Sequence, residues 1–483
     1  MSFLTGIAAR AGATAQTLWD AGSQLLQPSL RLGVTGLARS GKTVFTTALV
    51  HHLVEGHALP ALRASAQGRI RRARLDHQPD DVVPRFPYEE HVAALVKERR
   101  WPRSTERIGE LRLDIEYERA AGWRQGPATL SLDIVDYPGE WLLDLALIDA
   151  DYRDWSRRTI EASRRPARAA LAAPWHESLA ALDPAGSADE MVAERASEAF
   201  KTYLAALRAG PEAVATTPPG RFLMPGDLAG SPALTFAPLE LSPDRPSAPK
   251  TLAALMERRF EAYKTHVVRP FFRDHFQRID RQIVLVDVLG PLNEGGDAVV
   301  DLQRALEAIL RVFRAGSSNW LSALFLRRID KLLFAATKAD HIHSSSHDRL
   351  ETILRVITDR AMGRASDAGA DVGVQALAAL RATRETEAKV GNEWLPCIVG
   401  VPMPGERIGG KVFDGKTEAA VFPGDLPANP RDALKPDAAP AGLHFVRFRP
   451  PRVLPPGVDG EAPPLPHIRL DRALDFLLAD WLA

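Results

Sequence analysis

The residues best suited to chemistry in this sequence are GLARSGKT, Gly36 to Thr43, a full match to GxxxxGK[ST]. Gly36 and Gly41 permit a tight turn whose N–H groups converge on one anion. A helix opening near Lys42 adds its positive end. Lys42 is expected at the β- and γ-phosphates of a nucleotide, and the Thr43 hydroxyl on Mg²⁺. Ala38, Arg39, Ser40 and Val44 complete the expected phosphate cradle, with Thr35 beside it.

A second site candidate lies in IVDYPGEW, Ile134 to Trp141. Asp136 ends an apolar strand, where a carboxylate would hold Mg²⁺ directly or through water. Gly139 is expected to offer its N–H to the γ-phosphate, an approach only glycine permits. Glu140 follows, and would orient or deprotonate water or simply cap a helix. The WPRST stretch, Trp101 to Thr105, is expected to sense the γ-phosphate, with Thr105 or Ser104 reaching Mg²⁺. Arg39 and Arg103 are the candidates for neutralising transition-state charge.

A third lies in TKAD, Thr337 to Asp340. A carboxylate there accepts two hydrogen bonds from guanine, at the ring N–H and the exocyclic amino group. Adenine would leave it unpaired. Lys338 would lay its stem over the base, and Thr337 stands where asparagine is usual. Ala382 and Thr383 are expected at the base edge.

These groups need elements to hold them. Leu30, Leu32 and Val34 alternate with Arg31, Gly33 and Thr35, which predicts a strand. Val44, Phe45, Ala48, Leu49 and Leu53 recur at helical spacing until Gly56. From Gly56 to Arg107 the pattern is broken. Leu111–Tyr117 and Leu130–Ile134 alternate as an antiparallel hairpin. IVLVDVL (from Ile283) and KLLFAA (from Lys331) read as strands covered on both faces. Ala376–Glu385 is the expected last strand with its loop. Ser187 with Glu190 predicts a capping box.

The expected fold is therefore α/β: a P-loop NTPase, GTPase-like, with a mostly parallel sheet flanked by helices. It carries a large, mostly helical insertion and a Pro/Gly-rich C-terminal extension. Residues 1–28 read as an N-terminal helix. Residues 29–141 and 278–390 read as a discontinuous nucleotide-binding domain and 142–277 as the insertion. Residues 391–483 form the extension, closed by a helix that docks on the core.

The 483 residues suffice for two or three domains. Lys+Arg and Asp+Glu number 61 each, which gives no strong nucleic-acid signal. The arginine pairs 157/158 and 164/165 read as solvated helix faces. Cys397 is the one cysteine, which suits a reducing cytosol. No apolar run approaches the ~20 residues of a transmembrane segment, and no signal peptide is legible. His341 and His343 read as solvated loop residues.

Several blocks lie outside the generic nucleotide motifs: WPRST, DYPGEWLLDL, GRFLMPGDLAG, RIDRQIVLVDVL and PLPHIRLDRALDFLL. With GLARSGKT and KLLFAATKAD they resemble the bacterial YcjX-like GTP-binding proteins, from about Arg31 to the C-terminus. The resemblance implies a GTPase-like core with a helical insertion, GTP/GDP as ligand, and a role in bacterial stress response. It also implies a membrane protein as partner. The helical insertion is the expected partner surface, and the expected location is cytoplasmic, peripheral to the inner membrane. Two other readings stay open: an ATP-hydrolysing or kinase-like enzyme, and a non-catalytic nucleotide-gated interaction protein.

Overall fold

The computed structural model describes residues 28–103, 105, 107–120, 126–209, 216–242, 246–275, 278–310, 329–390, 392–408, 410–435, 442–453 and 464–483. The expected N-terminal helix over 1–28 lies almost wholly outside the described residues.

Strand β1 (Ser29–Gly36) occupies the middle of a seven-stranded sheet because every side chain in its second half is buried. It runs parallel to β4 (Pro127–Asp136) on one side and to β5 (Arg281–Val286) on the other. Beyond β5 lie β6 (Lys331–Ala336) and β7 (Asp371–Ala376), both parallel. Beyond β4 lie β3 (Gly109–Glu118), antiparallel to β4, and β2 (Ile70–Asp76), antiparallel to β3. The order is β2-β3-β4-β1-β5-β6-β7. The chain leaves β1 toward β4 and later returns to its other side at β5, so a crevice opens at the C-terminal end of β1. Open α/β sheets bind ligands in such a crevice.

Helix α1 (Lys42–Val54) follows the glycine loop, and α2 (Tyr88–Val96) packs near it. Between β4 and β5 the chain is mostly helical. It runs through α3 (Gly139–Asp144), α4 (Tyr152–Ser163), α5 (Pro166–Ala180) and α6 (Glu190–Ala209), then α7 (Leu252–Tyr263) and α8 (Arg269–Asp274). This segment buries its own aromatic core. Trp155 stacks on Phe260 at 5.0 Å between ring centroids, and Trp175 on Tyr203 at 4.9 Å. The same cluster includes Val135, Tyr137 and Trp141 from the end of β4 and the start of α3. Such aromatic pairs add to area burial and fix ring orientation.

On the other side, α9 (Gly296–Leu310) and α10 (His347–Asp367) cover β5 and β6. The last helix, α11 (Leu470–Leu478), buries Leu470, Ala473, Leu474, Leu477 and Leu478 against the core of β1, β3 and β4. Its acidic face is tied down as well: Asp471 accepts a hydrogen bond from the Ala61 N–H at 2.9 Å.

Four expectations are corrected. The stretch from Gly56 to Arg107 contains a strand, β2, hidden because it is an edge whose Arg71, Arg72 and Arg74 are exposed; charge on an edge strand discourages pairing with other chains. The last strand of the main sheet is Asp371–Ala376, and Leu377–Thr383 is the irregular connection after it, bridged to Ile468 at Ala378. The following strand, β8 (Arg384–Val390), pairs with β9 (Glu393–Gly400), which pairs with β10 (Ala419–Val421) in a separate antiparallel sheet. The boundary drawn at residue 390 falls between two paired strands. Finally, Asp189 rather than Ser187 caps α6, accepting the Val192 N–H at 3.0 Å.

Candidate nucleotide site

The crevice at the end of β1 holds a cavity of about 320 Å³. Its floor is the glycine loop. Gly36, Arg39 and Gly41 take positive φ (151°, 63° and 89°), so the loop curls tightly and α1 begins at Lys42. A Cβ on Gly36 would lie 2.4 Å from the Leu285 carbonyl oxygen, so only glycine fits there. Ala38, Arg39, Ser40, Gly41, Lys42, Thr43 and Val44 all line the cavity.

Lys42 is folded back on its loop. Its Nζ donates to the Gly36 and Leu37 carbonyls at 3.0 and 3.1 Å. Burial lowers its pKa, opposed by the nearby Asp136 and Glu140 carboxylates. The Ser40 hydroxyl is buried and has no hydrogen-bond partner among the described residues.

Three oxygen-bearing side chains meet beside Lys42. The Thr43 and Thr105 hydroxyls lie 3.1 Å apart, and Thr105 donates to Asp136 Oδ2 at 2.6 Å. The register pairs Asp136 with Val34, which sets its carboxylate beside the end of β1. Burial pushes the Asp136 carboxyl up to about 6, against the pull of Lys42 and the Thr105 hydrogen bond. Its Oδ1 is buried and has no hydrogen-bond partner among the described residues. Mg²⁺ prefers oxygen ligands, and this orphaned carboxylate oxygen with two adjacent hydroxyls fits it.

Gly139 and Glu140 form the next wall. Gly139 opens α3 pressed against the glycine loop: an added Cβ would sit 2.6 Å from the Ala38 nitrogen and 2.7 Å from the Gly36 oxygen. Glu140 is 7% exposed and pairs with Arg208 at the end of α6, at 3.0 Å. Arg39 of the loop donates to the Arg208 carbonyl at 3.3 Å. Arg208 thus touches both the phosphate loop and Glu140.

Two more ties join α3 to the helical segment. Asp144 accepts from the Gly220 and Arg221 N–H groups at 2.6 and 3.2 Å and from the Tyr263 hydroxyl at 2.7 Å. The Arg221 guanidinium lies 3.6 Å from the Trp141 ring centroid. Gly220 allows this contact, since its Cβ would overlap the Glu140 oxygen at 1.8 Å.

The far part of the cavity is lined by Thr337, Lys338, Asp340 and His341. Lys338 takes positive φ (60°) and its Nζ pairs with Asp287. The Thr337 hydroxyl donates to the Val286 carbonyl at 3.3 Å. Asp340 Oδ2 accepts the Ala382 N–H at 2.8 Å, and the Thr383 hydroxyl bonds to the Asp340 carbonyl. Ala382 and Thr383 therefore brace Asp340 from behind. The connection Leu377–Leu380, not these two residues, lines the cavity, because residue 377 already leaves the sheet. His341 is also a wall residue rather than a solvated one, its ring edge-on to Phe448 at 5.5 Å.

Sequence reasoning reached only half of the roof. Trp101, Pro102 and Arg103 close one side, and Met403, Arg447 and Phe448 from the C-terminal stretch close another. The Trp101 Nε1 donates to the Phe448 carbonyl at 2.7 Å, pinning the two together. Only the WPRST pattern signalled any of these. Arg208 and Tyr263 carried no local signal at all, whereas Gly220 and Arg221 lie in the GRFLMPGDLAG block.

A family model described as the YcjX-like family matches residues 30–482. The chain belongs to the YcjX-like family. Two relatives are similar along nearly their whole length. The protein named Ras-like GTPase YcjX in Escherichia coli (strain K12) is 37% identical over 470 residues, covering 94% of this chain and 96% of the relative. The protein of the same name in Shewanella oneidensis is 34% identical over 475 residues, covering 94% of each. With the strand order and the glycine loop, this kinship identifies the fold as a GTPase-like P-loop NTPase carrying a helical insertion.

Proposed function

We propose that this chain binds GTP and GDP in the 320 Å³ cavity and hydrolyses GTP slowly, acting as a molecular switch. The observation that carries the reading is convergence. Lys42 and Thr43, Gly139 and Asp340 come from three distant parts of the chain and line one cavity, with Asp136 one hydrogen bond behind it. Both relatives are named Ras-like GTPase YcjX, which supports the same chemistry.

In this reading the loop N–H groups and Lys42 hold the phosphates. Thr43, Thr105 and Asp136 would hold Mg²⁺, which supplies positive charge to the phosphoryl group being transferred. Lys42 exchanges two loop carbonyls for phosphate oxygens, so nucleotide satisfies its charge better than the loop does. Asp340 accepts the guanine ring N–H and amino group. Glu140 faces the attacking water only when its pairing with Arg208 yields.

The switch follows from the same contacts. Gly139 touches the glycine loop, while Glu140, Trp141 and Asp144 of the same short helix touch the insertion. A shift of α3 on γ-phosphate binding must therefore reach α6 and α7. We propose the insertion as the surface presented to a protein partner, a membrane protein in the stress response that the family resemblance implies. No helix among the described residues is long and apolar enough to cross a membrane, which is compatible with a cytoplasmic protein peripheral to the inner membrane.

Competition tests the proposal. A fluorescent guanine nucleotide bound in the presence of Mg²⁺ is expected to be displaced by GTP and unaffected by excess ATP. Strong displacement by ATP would overturn guanine selectivity in favour of an ATP-using enzyme. Multiple-turnover phosphate release, lost in Asp136→Ala, separates a hydrolase from a protein that only binds nucleotide.

A further inference from the structure

Cations and anions balance across the whole chain, at 61 each. One pocket of about 550 Å³ departs sharply from that balance. It is lined by Arg99, Arg381, Arg384, Lys416, Arg449 and Arg452, against a single lining carboxylate, Glu418.

That carboxylate is already engaged. Glu418 takes a two-pronged pair from Arg384, at 3.0 and 2.9 Å. Arg381 reaches Glu385 at 3.5 Å. The other four cations have no ion pair among the described residues. Arg99 donates to the Pro450 carbonyl, from Nε at 3.2 Å and Nη2 at 3.1 Å. Arg449 donates to the Gly415 carbonyl at 3.0 Å. Carbonyl oxygens orient a guanidinium without cancelling its charge. Burial, then Arg452 and Arg449, push the Arg99 guanidinium below its usual range, against a weaker opposing pull from Glu418.

Two other arginine clusters among the described residues are neutralised where they stand. Arg157 and Arg158 pair with Asp154, and Arg157 also with Glu161. Arg165 and Arg168 both pair with Asp301. Against that pattern, a pocket holding four cations without ion pairs keeps self-repulsion that an anion would relieve. Pro451, Pro466 and the Val399–Val401 stretch supply its walls, so the charge lines a concavity open to solvent.

The pocket also backs onto the nucleotide cavity. Ala382 and Thr383 line it, and both hydrogen-bond to Asp340. Arg99 stands two residues before Trp101, which lines the nucleotide cavity. We propose that this pocket is a second anion site, for a phosphate-bearing ligand of at least two negative charges. That phosphate is carried either by a small free molecule or by a lipid headgroup. Arginine forks bind phosphate oxygens two at a time, and several converging forks suit a doubly charged phosphate better than a single carboxylate. An occupant would brace the residues behind Asp340.

The test uses the full-length protein saturated with GDP and Mg²⁺, so that the glycine loop is filled. Calorimetry with inorganic pyrophosphate, and flotation with vesicles of phosphatidylglycerol and phosphatidylcholine, distinguish the two sources. Pyrophosphate binding near one equivalent, weakened at least about tenfold by Lys416→Glu/Arg452→Glu, supports a free ligand. Vesicle binding lost in the same variant, and competed by pyrophosphate, supports a headgroup. Lys416 and Arg452 are exposed, so this variant is expected to keep its GDP affinity; the milder Lys416→Ala/Arg452→Ala pair gives the same reading with a smaller loss. Arg157→Glu/Arg158→Glu is the charge control and is expected to change neither readout. Absence of both kinds of binding, or equal weakening by the control, overturns the site. Because the effect is read at residues 416 and 452, it stands or falls apart from guanine recognition.

Discussion

A Cβ on Gly139 would lie 2.6 Å from the backbone nitrogen of Ala38. The segment that ends β4 and the loop that ends β1 are therefore in backbone contact, and the proposed function places the γ-phosphate along that seam. Gly139→Ala is expected to force the two apart. It should lower GTP affinity more than GDP affinity and destabilise the protein by about 1–3 kcal/mol. Parallel nucleotide titrations and urea unfolding check this; an unchanged GTP affinity would contradict the contact.

Lys42 is buried and bonded to its own loop. Lys42→Ala is expected to remove the charge that holds the phosphates and cost at least about 3 kcal/mol in GDP binding, a hundredfold or more. Asp136→Ala should instead retain much of the GDP affinity and lose Mg²⁺-dependent hydrolysis. Equilibrium binding and phosphate release separate the two variants.

Arg208 links the insertion to the site through Glu140, which is nearly buried while Arg208 is 32% exposed. Solvent screening limits such a pair, so a double-mutant cycle with Arg208→Ala and Glu140→Gln should give a coupling of about 1 kcal/mol in stability. If the pairing holds Glu140 away from water, Arg208→Ala raises the GTP hydrolysis rate and Arg208→Ala/Glu140→Gln does not. A rate unchanged in both would refute this role.

Asp144 supplies a pH signature. Burial pushes its carboxyl up to about 6 from an ordinary value near 3.8, despite three donors. A raised native pKa means the native state holds the proton more tightly than the unfolded chain. The stabilisation is complete below the unfolded value and is lost as pH rises through about 6. Asp144→Asn has no such titration. Its destabilisation relative to the parent should therefore be larger at pH 4 than at pH 7.5, by up to about 3 kcal/mol. Urea unfolding at the two pH values reads this, and a cost that grows with pH would contradict it.

How much of this was legible beforehand varied with how local the signal was. The glycine loop, the β3–β4 hairpin and the buried runs of β5 and β6 announce themselves within a few residues, because periodicity and glycine placement act locally. Strand β2 did not, since an edge strand with exposed arginines looks like a loop. The connection Leu377–Leu380 reads as strand because an Ala/Leu run signals burial whatever its shape. The roof was least legible. Phe448 reaches the cavity from a Pro-rich stretch more than 340 residues beyond Trp101, and nothing in either neighbourhood encodes the meeting. Arg208 was hidden for the same reason: a helix-end arginine acquires its partner only when the insertion folds back on α3.

In the proposed function one cavity holds both the phosphates and the guanine of a single nucleotide, with Asp340 reading the base. Calorimetric affinities of the parent and Asp340→Asn for GDP and for xanthosine diphosphate, with Mg²⁺ present, test it most directly. Asparagine presents a donor where aspartate accepts, so the variant should lose GDP by about a hundredfold or more and prefer the xanthine nucleotide. A variant that keeps the parent's preference for GDP would contradict the account.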